Sequence, residues 1–301
     1  MAPHLVELPY ELLEELMGYL HPGPGEQKED LKACSLVSHI WRPIAQVHLF
    51  RHMHCTISTS SLEERFDNSL TLQYFPGGVY GMCVSGEGLV RPISRPSRTL
   101  DMLVGFLQDH PGLGSHIRTF QLYQGVSFAR AEEGRFSATL FSSLLCLIPN
   151  VQSLYLRDIA LTLPDQFVYP THRLSLSRLD ITHPCPSPSP LDLISLTGYF
   201  ERIDRLSLRH LDVVSADEDL AVAPAFSPPL VRYLELETIE PQQASFVDVL
   251  SRALRLDDLH SLTLAPLDDV GVYGTVLATL GPRVREVQVY LPSDGTCQIF
   301  S

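Results

Sequence analysis

The sequence predicts an α/β chain, with a short N-terminal helical module followed by an irregular repeat solenoid of strands and helices. Three observations predict it. Apolar residues near the start recur at helical spacing. Farther on, a strand-like apolar-x-x-apolar-x-apolar template recurs at intervals of 25 to 34 residues. Several gaps between its copies carry apolar residues at helical spacing again.

In the first segment Leu12, Leu13, Leu16, Met17 and Leu20 fall at i, i+1, i+4, i+5 and i+8 and cover one helical face, with Glu11, Glu14 and Glu15 on the rest. Pro9 suits a first helical turn, where its missing N–H costs nothing, and acidic residues there favour the positive end of the helix dipole. His21-Pro22-Gly23-Pro24-Gly25 stops this helix. Asp30 is the expected N-cap of a second helix presenting Leu31, Cys34 and Val37, with Trp41 one turn further along. A third helix is expected to begin at Ser38 or Trp41. Three helices of this size hold little core, so some apolar surface is left for a partner.

The run Leu8-Pro9-Tyr10-Glu11-Leu12-Leu13, followed by Cys34-Ser35-Leu36-Val37-Ser38-His39-Ile40-Trp41, resembles an F-box. The stretch from Leu31 to Pro43, with His48-Leu49-Phe50 after it, looks most like the large fungal branch of that family. The resemblance covers the first fifty or so residues and implies docking to the Skp-type adaptor of a cullin-RING ubiquitin ligase. The implied adaptor-binding positions are Leu8, Pro9, Leu12, Leu13, Leu16, Leu20, Leu31, Cys34, Val37 and Trp41. Two features depart from the family pattern: the polar stretch from His21 to Leu31 is longer than its usual turn, and Pro43 interrupts what should be helical.

The expected organisation is an F-box-like module over 1–54, a connector over 55–112 with a helix near 99–109, and a leucine-rich-repeat-like solenoid over 113–301. The template recurs seven times, at Ile117-Phe120-Leu122, Val151-Leu154-Leu156, Leu176-Leu179-Ile181, Ile203-Leu206-Leu208, Val231-Leu234-Leu236, Leu259-Leu262-Leu264 and Val284-Val287-Val289. Leucine-rich repeats have periods of about 20 to 29 residues, which most of these intervals match. Phe136 to Ile148 and Phe246 to Leu256 are the clearest intervening helices, Leu191 to Phe200 and Val272 to Leu280 the weaker ones. A strand and helix repeated in this way bury their apolar faces against neighbouring units. The positions where the standard repeat carries Asn or Cys are Gly125, Ile159, Pro184, Leu211, Ile239, Leu267 and Pro292. Without an asparagine ladder the arc should be irregular. His183 to Pro190 and Ala221 to Pro229 read as loops.

Residues of opposite parity to the template point to the other sheet face, where repeat proteins hold partners. The central row is Gln121, Tyr155, Asp180, Ser207, Glu235, Thr263 and Gln288. Thr119, Ser153, Arg178, Arg205, Tyr233, Ser261 and Glu286 precede it; Tyr123, Arg157, Thr182, Arg209, Glu237, Ala265 and Tyr290 follow it. Arg157, Arg178, Arg205 and Arg209 gather in the middle repeats and Glu235, Glu237 and Glu286 in the later ones, which predicts basic and acidic halves. Tyr155, Arg157, Arg178, Arg205, Arg209, Tyr233 and Glu235 are the candidate target-binding residues, since Tyr and Arg are favoured anchors. An acidic or phosphorylated target segment would suit the arginines.

Composition narrows the rest. At 301 residues, 45% hydrophobic and 19% charged, the chain reads as globular. A net charge of −13 argues against nucleic-acid or anionic-membrane partners, which need clustered Lys and Arg. No apolar run approaches the roughly 20 residues that span a bilayer, and no signal peptide is evident, so an intracellular place in cytoplasm or nucleus is expected. Six scattered cysteines without a C-x-x-C pair read as reduced thiols, most of them buried. His48, His52, His54 and Cys55 lack a second cluster to complete a zinc site and read as histidines at a helix end. Glycines from Gly77 to Gly88 precede no Lys-Ser or Lys-Thr, so they form no phosphate loop. No local catalytic motif occurs. The reading is a non-enzymatic substrate receptor, without cofactor or metal, that binds the Skp-type adaptor, through it a cullin, and a protein target. A repeat scaffold without ligase assembly is the alternative, and an enzyme with a scattered active site a third.

Overall fold

The computed structural model of the chain describes residues 9–20, 29–58, 71–73, 98–125, 135–157, 159–162, 173–182, 190–211, 227–239, 250, 254–265, 270–290 and 297–300. Helices α1 (Tyr10–Tyr19), α2 (Glu29–Val37) and α3 (Trp41–Arg51) come first, and α3 runs directly into strand β1 (His52–Ser58). Strands β2 (Thr71–Gln73) and β3 (Arg98–Thr99) precede α4 (Leu100–Asp109) and the one-turn α5 (Pro111–Gly114). Next come β4 (Thr119–Gly125), β5 (Arg135–Ser137), α6 (Ala138–Leu147), β6 (Ser153–Arg157), β7 (Ala160–Thr162) and β8 (Leu174–Thr182). The remainder is α7 (Pro190–Thr197), β9 (Phe200–Leu211), β10 (Leu230–Ile239), β11 (Ser261–Leu264), α8 (Val270–Leu280), β12 (Glu286–Tyr290) and β13 (Cys297–Phe300).

The fold is α/β, built on one parallel sheet. Strands β1, β4, β6, β8, β9, β10, β11 and β12 lie side by side in sequence order, each parallel to the next. Antiparallel strands finish both ends, β2 and β3 beyond β1 and β13 beyond β12. β5 and β7 form a separate parallel pair.

Side-chain period fixes what each face carries. One cross-strand row is Phe120, Leu154, Leu179, Leu206, Leu234, Leu262 and Val287; another is Leu122, Leu156, Ile181, Leu208, Leu236, Leu264 and Val289. All are buried except the half-buried Val287. All seven templates thus stand in register. Leu103 and Leu107 of α4, Phe141 and Leu144 of α6, Leu193 and Leu196 of α7, and Val276 and Leu280 of α8 join the same core, so these helices cover the apolar face. Phe141 meets the Tyr199 ring edge-on at 5.4 Å. Burying each such side chain contributes about 1.5–3 kcal/mol, which makes this core the main stabilising mass of the chain.

Neighbouring units are also tied by main-chain bonds just ahead of the strands. The N–H of Arg118 donates to Arg51 O, Gln152 to Arg118 O, Ser177 to Gln152 O, His260 to Arg232 O and Glu286 to His260 O, at 2.7–3.0 Å. The Asn150 side-chain amide donates to Ser115 O at 2.9 Å, and the Arg118 guanidinium to Ser115 O and Asn150 O at 3.1 and 3.2 Å. β9 and β10, at 12 and 10 residues, are longer than the roughly six-residue motif of a regular leucine-rich repeat. The parallel sheet therefore does not match a typical one.

The N-terminal helices hold a second, smaller core of Leu13, Met17, Leu31, Ile44 and Ala45, with Leu20, Cys34, Trp41 and Leu49 packed against it. It is distinct from the sheet core, which α3 reaches through Phe50.

Several sequence expectations need correction. His52 to Ser58 is a strand and not a helix end, so the expected boundary after residue 54 falls inside β1. Phe50, Met53 and Cys55 are an eighth copy of the template: Met53 and Cys55 are buried, with Phe50 packed against the same core. Pro43 does not break α3, because it is the third residue from Trp41, inside the first turn whose N–H groups lack intrahelical partners anyway. Asp30 lies within α2 and does not cap it. The helix expected over Leu191–Phe200 ends at Thr197, and Phe200 opens β9. There the Arg173 guanidinium donates to Gly198 O at 2.9 Å and to Phe200 O. The stop at His21 to Gly25, the glycines from Gly77 to Gly88, and most of the expected loops and of the helix Phe246–Leu256 lie outside the described residues, although Leu250, Leu254 and Leu256 are buried. No described helix is long and apolar enough to cross a membrane.

At Gly114 an added Cβ would collide with the carbonyl oxygen of Leu147 at the end of α6. Backbone cannot rotate aside as a flexible side chain can. Gly114→Ala is expected to destabilise the chain by about 1–3 kcal/mol, measured by urea unfolding, whereas Gly105→Ala in α4, where nothing lies within 4 Å, should not destabilise it.

Candidate functional site: two interaction surfaces

The first surface lies on the N-terminal helices. Leu13 and Met17 of α1 and Leu20 at its C-cap stand at i, i+4 and i+7; the first two belong to the small core and Leu20 packs against it. Leu12, Leu16 and Tyr19 repeat that spacing one position earlier and form a second apolar stripe facing water. Leu12 is 49% exposed where Leu13 is 1%. On α2 and the turn after it, Leu36, Val37 and Ile40 are exposed as well.

The ten adaptor-binding candidates therefore divide. Pro9, Leu12, Leu16 and Val37 are exposed; Leu20, Cys34 and Trp41 are half-buried; Leu13 and Leu31 are buried in the helical core, where they support the surface without forming it. Leu8 lies outside the described residues. Tyr10, Tyr19, Leu36 and Ile40 are exposed apolar groups that the sequence reading passed over. The heptad-like step from Leu12 to Tyr19 was the signal for one of them.

The second surface is the polar sheet face. The three outward rows run across the strands in the expected register, from Gln121 through Tyr155, Asp180, Ser207, Glu235 and Thr263 to Gln288 in the centre. β1 extends two rows with His52 beside Thr119 and His54 beside Gln121. The expected separation into basic and acidic halves is not what the register produces. β9 and β10 are neighbours, so Arg205 pairs with Glu235 at 3.1 Å and Arg209 with Glu235 and Glu237 at 2.8 and 3.2 Å. Arg178 pairs with Asp180 at 3.0 Å, and the Thr182 hydroxyl donates to the same carboxylate at 2.9 Å.

These charges are layered in depth. The Asp180 and Glu235 side chains are sunk to 9% and 14% exposure, while those of Arg178, Arg209 and Arg205 stand above them at 31%, 32% and 51%. Arg157 lies over the Tyr123 ring at 5.6 Å and Arg178 over the Tyr155 ring at 5.2 Å, within cation–π distance. Tyr233, exposed, meets His260 edge-on at 5.6 Å. The face thus brings all seven target-binding candidates onto one sheet.

Other reactive groups are dispersed. His48 belongs to the helical module, Met53 and Cys55 to the sheet core, and His52 and His54 to the polar rows, and no described group of three or more His, Cys, Asp or Glu could hold a metal ion. Burial pushes the Cys55 thiol far up, which leaves it unreactive; burial and the nearby Asp30 raise Cys34. Of the thiols whose burial is described, Cys55 is buried, Cys34 half-buried and Cys146 exposed.

No protein-family model matches the chain, and no curated protein matches it either.

Burial holds the His48 pKa below its ordinary 6.5, the Arg51 charge adds to this, and Glu14 on α1 opposes it. The folded state keeps the ring neutral, whereas the unfolded chain accepts a proton near pH 6.5. Stability is therefore lost as pH falls from that value toward the lower folded pKa, and is unaffected above it. His48→Leu should flatten this loss in thermal melts taken between neutral and mildly acidic pH.

Proposed function

We propose that the chain is the substrate-recognition subunit of an SCF-type cullin-RING ubiquitin ligase. In this reading α1–α3 act as an F-box that docks on the Skp-type adaptor, and through it a cullin. The strand-helix region acts as an irregular leucine-rich-repeat-like solenoid whose polar face holds a protein target, in the cytoplasm or nucleus. The observation that carries the reading is the second apolar stripe. A small helical core that needed only its own stability would keep one stripe, Leu13-Met17-Leu20, and leave the neighbouring positions polar. Leu12, Leu16 and Tyr19 instead spend exposed apolar surface that a partner would cover, at about 1.5–3 kcal/mol for each large side chain fully buried. The resemblance of the stretch from Leu8 to Trp41 to an F-box names the class of partner.

The mechanism is effective concentration: a target held on the sheet face of an assembled ligase meets a charged ubiquitin-conjugating enzyme as if in one molecule. The chain contributes no reacting group, cofactor or metal of its own in this scheme. Bond making and breaking fall to other subunits.

The test is capture of purified Skp-type adaptor by the full chain and by its Leu12→Ala/Leu16→Ala variant. Both leucines are exposed, so the melting temperature should barely change while adaptor affinity falls by a factor of about ten or more. Failure of the folded wild-type chain to capture the adaptor would sink the ligase reading and leave a repeat scaffold in its place.

A further inference from the structure

The outermost charge on the middle of the sheet is guanidinium. Arg178 and Arg205 stand side by side on β8 and β9, and Arg209 lies four residues further along β9, about 13 Å at strand rise. Asp180 and Glu235 lie beneath them, so those ion pairs fix the arginines without covering them, while Glu237 stands beside Arg209 at the same depth. The bonds they make within the protein use Nη2 of Arg178, Nη2 of Arg205, and Nε and Nη2 of Arg209. A guanidinium carries five donors, and the Nη1 group of each takes part in none of these bonds. The point where Arg205 and Arg209 converge is already filled by the two oxygens of Glu235, at 3.1 and 2.8 Å. A single dianion would have to sit over that carboxylate, against its charge. Separate monoanions spaced along an extended chain meet no such conflict. With Arg157 on β6, beside β8, the middle strands present four outward guanidiniums against the three carboxylates Asp180, Glu235 and Glu237, a local positive excess on a chain of net charge −13, so general electrostatics would not draw an acidic ligand here.

Resting on the reading of this face as the target-holding surface, we propose that Arg178, Arg205 and Arg209 bind an extended, unphosphorylated Asp/Glu-rich segment of the target protein. Each Nη1 edge donates charge-assisted hydrogen bonds to a different carboxylate of that segment. Asp180, buried, and Glu235, half-buried, act as positioning residues that hold the guanidiniums in place.

The experiment is fluorescence anisotropy of the full chain with a labelled heptaglutamate peptide, a heptaglutamine peptide, and the glutamine peptide with one central phosphoserine. Preference for heptaglutamate, weakening as salt is raised, is expected. Arg178→Gln/Arg205→Gln should weaken that binding by about tenfold or more. Because loss alone could reflect misfolding, Glu237→Gln supplies the opposite sign: freeing Arg209 of its second carboxylate should tighten heptaglutamate binding severalfold. Equal binding of glutamate and glutamine peptides, unchanged binding in the double arginine variant, or binding of the phosphoserine peptide alone would each overturn the proposal. Adaptor capture by the same preparations separates the two readings. Capture without peptide preference removes only this inference, and peptide preference without capture removes only the ligase assignment.

Discussion

Everything in this molecule depends on the register of the parallel sheet. Leu154, Leu179, Leu206, Leu234 and Leu262 stand in one row because the strands keep one register across the template, the single shift between β8 and β9 falling ahead of it, between Leu174 and Ser175. Side-chain direction alternates with period two, so a slip of one residue in β9 would turn Leu206 and Leu208 to water and drive Arg205 and Arg209 into the core. Neither outcome is tolerable, since unpaired charge in a dry core costs several kcal/mol. Parallel sheets are usually covered on both faces and read as continuous apolar runs. Here the strands alternate instead, which places the helices on one face and leaves the other to polar side chains.

The one-sided sheet explains why the charged rows look as they do. Two arginines on β9 face two glutamates on β10, and a carboxylate flanked by guanidiniums can sink toward the sheet while the longer arginine stems reach past it. The helical module obeys a different constraint. Its five-residue buried core is too small to absorb every apolar side chain of α1 and α2, and it is anchored to the sheet through α3, whose last turn places Phe50 against the larger core. Two cores with separate surfaces can serve two partners at once.

The sheet was legible in the sequence because alternation in each strand is dictated locally by burial, and seven copies of one template left little freedom in the pairing. The strand β1 was not, although Phe50-Met53-Cys55 fits the template. It lies much farther from the next copy than one repeat, and the one-turn spacing of His48 and His52 suggested a helix end. The division of the adaptor-binding candidates into buried and exposed members was only half legible. Leucines at i and i+1 both belong to a broad apolar face, and only the position of α3 decides that Leu13 turns inward and Leu12 outward. Likewise the arginine and glutamate blocks were visible, but their pairing across one strand boundary and the depth of the carboxylates depend on three-dimensional neighbours.

Hydrogen exchange of the full chain with and without purified Skp-type adaptor tests most directly the claim that the helices and the sheet are separate working surfaces. New protection is expected over residues 10–37, with unchanged exchange in β6, β8, β9 and β10. Protection appearing across those sheet strands, with none gained in α1 or α2, would contradict it.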